Sequence, residues 1–300
     1  VKWEQSFFVM LMGRRIKVTA EPFERNEASG RAMAYRLTPS GDLKGRILFA
    51  HATGNDSLFP QVELFQAWLK AGYEVFTFDI DGHGRHSSTL LSFNSCLSMI
   101  QAAVAQAITG SAVLPLHGAG HSLGAALWLR GLAETSLALT SLVLLSAPLR
   151  IELGYKAFFS EFHAIHTGDF WRQRHYYGAL GIIPPMGPWR RETYPIRFRN
   201  DMTPEETHPQ QRRASSLNYP HRIAALVEQL EIESSAINVR VPTLLINGSH
   251  DQIVPAAQGA RLSAVMPHAS CCQVAGATHY TVPFAEDTLR MSLEHFQHSS

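Results

Sequence analysis

The sequence predicts an α/β fold: a mostly parallel central sheet with helices on both faces, carrying a mainly helical insertion. Two observations lead there. Short apolar runs alternate with amphipathic, helix-length segments from Arg46 to Leu145, and the rhythm resumes from Val241 to Gln297. Hydrophobic residues make up 45% of the 300-residue chain and charged residues 17%, enough apolar material to bury such a sheet on both faces.

The elements follow in order. Arg15 to Thr19 and Ala32 to Leu37 read as two short strands at one edge. The run RILFA, Arg46 to Ala50, reads as a buried strand, and Gln61 to Ala71 follows as a helix with Val62, Phe65, Trp68 and Leu69 on one face. Gly72 stops that helix. Tyr73 to Phe78 is the next strand, and the loop Asp79-Ile80-Asp81-Gly82-His83-Gly84 lies behind it. A helix is predicted over Leu97 to Ile108, a strand over Ala112 to His117, a helix over Leu123 to Glu134 and a strand over Leu142 to Leu145. After the interruption come a strand at Val241 to Asn247, a helix at Ala256 to Val265, a short strand at Ser270 to Val274 and a final helix at Phe284 to Gln297. Right-handed crossovers place the C-terminal ends of the parallel strands on one rim, where open α/β sheets bind ligands.

The interruption defines the domain organisation: core over 1–148, insertion over 149–237, core again over 238–300. About 90 residues without an α/β pattern are too many for a structureless loop. The stretch is rich in aromatics, Phe159, Phe162, Trp171 and Trp189 among them, and is punctuated by prolines. It is expected to form a helical cap over the rim. Those four aromatics are the candidates for an apolar acyl or aryl pocket, although a cap also needs aromatics for its own core.

Bulk properties narrow the function. A formal net charge of +1 gives no reason to expect nucleic acid as a partner. The 15 histidines are scattered, with no pair at metal-ligand spacing, so neither a metal nor any other cofactor is expected. The three cysteines include the neighbours Cys271 and Cys272, a poor basis for a disulfide framework. The apolar run Phe7 to Met12 is too short to span a membrane. A soluble, cytoplasmic protein is expected; a chain beginning with Val1 is also compatible with a removed leader. The oligomeric state is not legible.

The chemistry is concentrated in Gly120-His121-Ser122-Leu123-Gly124, between a predicted strand and a predicted helix. A serine on such a turn is presented as a nucleophile, though the same serine could simply cap the helix. A serine hydroxyl needs a base, and the base an orienting acid. Asp251, just past the strand ending at Asn247, is the candidate acid. His279, between the last strand and the last helix, is the candidate base; His250, next to Asp251 in the acid's loop, reads as a loop residue. An oxyanion hole would combine the backbone N–H of Leu123 with one from the loop after RILFA, where Thr53 is the candidate and His51 a further substrate contact.

These pieces resemble the α/β-hydrolase superfamily, in the group of serine hydrolases related to monoacylglycerol lipases and carboxylesterases. The matching segments are HATGND at 51–56, FDIDGHGRHS at 78–87, GHSLGAA at 120–126, INGSHDQIVP at 246–255 and GATHY at 276–280. The order Ser122, Asp251, His279 is that of the superfamily. Two departures stand out: His51-Ala52 where the family usually has His-Gly, and Asp81 where the usual loop has arginine. The resemblance implies an α/β-hydrolase fold and cleavage of a small-molecule carboxylic ester through an acyl-enzyme. The alternatives are an acyltransferase or thioesterase on the same triad, a peptidase acting on small amides, or a binding protein that has kept the fold.

Overall fold

A computed structural model describes residues 16–24, 31–52, 61–80, 93–109, 114–135, 137–151 and 225–299. Among these residues eight strands form one sheet: β1 (Ile16–Glu24), β2 (Arg31–Pro39), β3 (Gly45–Ala50), β4 (Tyr73–Phe78), β5 (Leu116–His121), β6 (Ser141–Leu145), β7 (Thr243–Gly248) and β8 (Ala269–Val274). Their order is β1-β2-β4-β3-β5-β6-β7-β8. β1 and β2 run antiparallel at one edge, β2 also meets β4 antiparallel, and every later pairing is parallel. The order reverses at β3, which lies between β4 and β5, so the ends of β3 and β5 flank a topological switch point.

Helices α1 (Val62–Lys70), α2 (Phe93–Ile108), α3 (Leu123–Glu134), α4 (Ile232–Ala236), α5 (Ala256–Val265) and α6 (Glu286–His298) cover the sheet. Side chains alternate between its faces. Leu48, Leu142 and Leu144 join the cluster containing Met99 of α2 and Trp128 of α3. Ile47, Phe49 and Val143 join the opposite cluster with Phe65 and Trp68 of α1 and Phe296 of α6. Strands buried on both faces explain the continuous apolar runs. Both indoles buried among the described residues have a partner: Trp68 Nε1 donates to Ser292 Oγ at 3.0 Å, and Trp128 Nε1 to the Ala119 carbonyl at 2.8 Å.

Between the antiparallel edge and α2 lies a buried ion cluster. Arg36 and Arg46 both donate to Glu74, and Arg36 also pairs with Glu21. The same two arginines reach the Ala107 carbonyl at the C-terminal end of α2. Burial alone would raise the Glu74 carboxyl, but hydrogen bonds from Thr38 and Arg46 and the two arginine charges hold it below the usual range.

Most predicted elements sit where expected, and β5 is the chief exception. The strand predicted over Ala112 to His117 occupies Leu116–His121 instead. Propensity disfavours LHGAGH as a strand, but packing demands those glycines. A Cβ on Gly118 would come within 2.7 Å of Leu142 Cδ1, and one on Gly120 within 2.8 Å of the Gly124 backbone. The helix at Phe93–Ile108 begins one turn earlier than predicted. Of the expected insertion, residues 152–224 lie outside the described residues, and with them Phe159, Phe162, Trp171 and Trp189. At its far end, Leu226, Val227, Leu230 and Ile232 are buried in the same cluster as Trp128, so the chain is already packed on the core by then.

Candidate active site

Ser122 follows β5 directly and precedes α3. It has φ 52° and ψ −112°, outside the regions open to ordinary residues, a conformation that costs on the order of 1–3 kcal/mol. Its neighbours show why the turn is this tight. A Cβ on Gly124 would lie 2.1 Å from the Ala50 carbonyl oxygen and 2.7 Å from that of His51, so the first turn of α3 presses on the end of β3. The serine backbone is pinned on the other side, its N–H donating to the Leu145 carbonyl at 2.9 Å. The helix-cap reading does not hold: the Ser122 hydroxyl makes no cap hydrogen bond. It lies 3.0 Å from Nε2 of His279 instead.

His279 reaches that position because its loop folds back on β7. Gly248, the last residue of β7, would bring a Cβ within 2.3 Å of the Ala277 carbonyl, and that carbonyl accepts the His250 N–H at 2.9 Å. His250 itself is exposed. The Thr278 N–H donates to Thr281 Oγ1, which tightens the turn beyond. His279 Nδ1 lies 2.9 Å from Asp251 Oδ2, and both residues are buried. Ser122, Asp251 and His279, separated by up to 157 residues in sequence, therefore form one hydrogen-bonded chain.

Asp251 is held firmly. Its Oδ1 accepts the N–H groups of Ile253 at 3.0 Å and Val254 at 2.7 Å, and its Oδ2 accepts the Ser146 hydroxyl at 2.6 Å. Burial would raise this carboxyl; the facing His279 and the hydrogen bonds from His279, Ser146 and Val254 outweigh it and hold the carboxyl below its usual range. With its acid ionised and its base in contact with the hydroxyl, the chain can take a proton from Ser122 and stabilise the resulting imidazolium.

Two further histidines frame the site. His121 Nε2 donates to the His279 carbonyl at 3.0 Å, and the two rings lie 5.0 Å apart. Burial, reinforced by the His279 charge, pushes His121 down to about 3. His51 accepts the Ile80 N–H on Nε2 at 2.9 Å and directs Nδ1 to the Ala52 carbonyl at 2.8 Å; burial takes it to about 4. Expected as a substrate contact, His51 is built as a strut that ties the end of β3 to the end of β4, both ring nitrogens engaged by backbone. Leu123 is the first residue of α3, so its N–H has no helical partner by geometry. Thr53 lies outside the described residues.

Ser146 and His121 are the residues that sequence reasoning passed over. Ser146 had a usable signal, since it stands directly after the apolar strand SLVLL, as Ser122 stands after its own strand. Among the described residues no group of three or more His, Cys, Asp or Glu side chains could hold a metal, and no helix is long and apolar enough to cross a membrane.

A switch-point serine between strand and helix, with acid and histidine on later strand ends, is the arrangement of the α/β-hydrolase superfamily of serine hydrolases, and the chain is a member of it. Within it, the chain belongs to the family described as serine aminopeptidase, S33, which residues 41–282 match. No curated protein matches the chain. Among solved structures it resembles a bacterial membrane phospholipase A (16% identity, 99% of this chain and 90% of that one, TM-score 0.64). It also resembles a meta-cleavage product hydrolase from Pseudomonas fluorescens (17% identity, 96% and 100%, TM-score 0.63). A third is 2-hydroxy-6-oxo-6-phenylhexa-2,4-dienoate hydrolase from a Rhodococcus species (16% identity, 94% and 99%, TM-score 0.62). At these identities the likeness is one of fold.

Proposed function

We propose that the protein cleaves small carboxylic esters through an acyl-enzyme on Ser122. The observation that carries this reading is the unbroken chain from Ser122 Oγ through His279 to Asp251, at 3.0 and 2.9 Å. His279 Nε2 accepts the Ser122 proton as Oγ attacks the ester carbonyl. The oxyanion of the tetrahedral intermediate is held by the Leu123 N–H and by a second backbone donor, assigned to Thr53. Collapse expels the alcohol, which leaves with the proton from His279. Water then gives a proton to His279 and attacks the acyl carbon; the acid departs and Ser122 recovers its proton. Asp251 keeps the imidazole in the required tautomer throughout.

The aromatic insertion, with Phe159, Phe162, Trp171 and Trp189, is assigned the apolar acyl or aryl pocket. Cys271 and Cys272 are free thiols, which fits a reducing compartment such as the cytoplasm. A second reading, cleavage of small amides or N-terminal residues, is favoured by the aminopeptidase named in the family description and uses the same residues.

A p-nitrophenyl ester is expected to give a burst of one equivalent of phenolate per chain, lost in Ser122→Ala with the fold retained. Full turnover in that variant would overturn the mechanism. Matched p-nitrophenyl esters and aminoacyl p-nitroanilides decide between the two substrate classes: ester preference supports the first reading, anilide preference the second.

A further inference from the structure

The Asp251 carboxylate accepts four hydrogen bonds, and only one comes from His279. Two backbone N–H groups occupy Oδ1, which fixes the plane of the carboxylate. Oδ2, the oxygen that faces His279, is shared with the hydroxyl of Ser146. Building on the Ser122–His279–Asp251 mechanism, we propose that Ser146 is a positioning residue that sets how firmly the acid holds the proton on the catalytic histidine.

The local structure supports a specific role. Ser146 is fully buried and follows β6 with φ 46°, a left-handed conformation that glycine accepts without strain and serine does not. Its N–H donates to the Ile246 carbonyl at 2.8 Å, so β7 fixes its backbone. The resulting turn aims Oγ at Oδ2 across 105 residues of sequence, at 2.6 Å, inside the range of strong hydroxyl–carboxylate bonds. Such a donor draws negative charge from the one oxygen that stabilises the imidazolium. The hydroxyl thereby weakens the hold on the proton and favours its release to the leaving group, which is the alcohol in acylation and Ser122 Oγ in deacylation.

Among the described residues, the groups facing this pair are neutral at working pH or remote from the carboxylate. His121, from the end of β5, and His51, from the end of β3, are kept uncharged by burial. The Tyr280 ring lies 5.6 Å from the His279 ring, and His250, next to Asp251 in sequence, is exposed. With Ser146 removed, the backbone donors still hold the carboxylate in place, and its charge concentrates on Oδ2. The acid limb of the pH–rate profile then moves to higher pH.

The test is the pH dependence of kcat/KM for a p-nitrophenyl ester in Ser146→Ala and Ser146→Gly. Both variants lose the hydroxyl, and glycine also accepts the left-handed backbone, so the second is expected to fold even where the first does not. The acid-limb midpoint is expected to rise by roughly half a pH unit in both. kcat should fall severalfold and KM stay unchanged, because Ser146 acts through Asp251. A midpoint that stays or falls in whichever variant folds overturns the proposal, and so does loss of folding in both, which would assign Ser146 to the fold alone. Fluorophosphonate labelling of the wild-type chain separates the two levels. An unlabelled Ser122 removes the mechanism itself, whereas a labelled Ser122 with an unmoved midpoint removes only the role of Ser146.

Discussion

Replacing Gly124 with alanine tests the turn that carries Ser122. The added Cβ would stand 2.1 Å from the Ala50 carbonyl oxygen, 2.5 Å from its carbon and 2.7 Å from the His51 oxygen, whereas ordinary contact begins near 3.4 Å. All three atoms are backbone at the end of β3, and no side chain can rotate away. The end of β3 and the start of α3 must part by more than about 1 Å, an overpacking that costs about 3 kcal/mol. Alanine in a helix returns about 1 kcal/mol. The net loss of about 2 kcal/mol should lower Tm by roughly 4 °C. The effect on chemistry is larger, because the displaced atoms lie beside the Leu123 N–H and the loop after β3; a misplacement of about 1 Å is expected to slow acylation about 10²-fold. Differential scanning fluorimetry and the rate of fluorophosphonate labelling read the two effects. Gly41→Ala is the control: φ there is 103° with nothing within 4 Å, so it should lose stability with no change in labelling rate. A Gly124→Ala chain that matches wild type in both Tm and labelling rate would refute the account of the turn.

Two further outcomes follow from the buried groups. His51 and His117 are pushed by burial to about 4 and His121 to about 3, against an ordinary 6.5. The unfolded chain therefore binds up to three more protons than the native one as pH falls below 6.5, so their contribution is complete above 6.5 and is lost on acidification. Urea unfolding should show a slope approaching about 4 kcal/mol per pH unit near pH 5; stability that stays flat down to pH 4.5 would contradict the neutral burial of these rings. Asp251→Asn preserves the shape of the acid but removes its charge and misdirects the imidazole tautomer; single-turnover acylation should slow about 10³–10⁴-fold, and a loss under tenfold would exclude Asp251 as the orienting acid.

Legibility in the sequence tracked how local each determinant was. The helices at Leu123–Glu134 and Ala256–Val265 and the strand at Tyr73–Phe78 were readable to the residue, since apolar periodicity and their flanking loops agree. β5 was misplaced because its glycines answer to tertiary packing, with Gly118 against Leu142 and Gly120 against α3. Ser122, Asp251 and His279 could each be read from a position behind a strand, yet their contact depends on how closely the 277–279 loop approaches Gly248, which no local pattern encodes. Ser146, although it stands behind a strand as Ser122 does, and His121 could not be given a role for the same reason. Their partners, Asp251 and the His279 carbonyl, lie 105 and 158 residues away.

The most direct test of the central claim is to treat the full chain with a fluorophosphonate and locate the adduct by peptide mass spectrometry. One adduct per chain is expected, on Ser122, formed with loss of ester turnover and absent from Ser122→Ala. An adduct on another residue, or undiminished turnover with Ser122 modified, would contradict it.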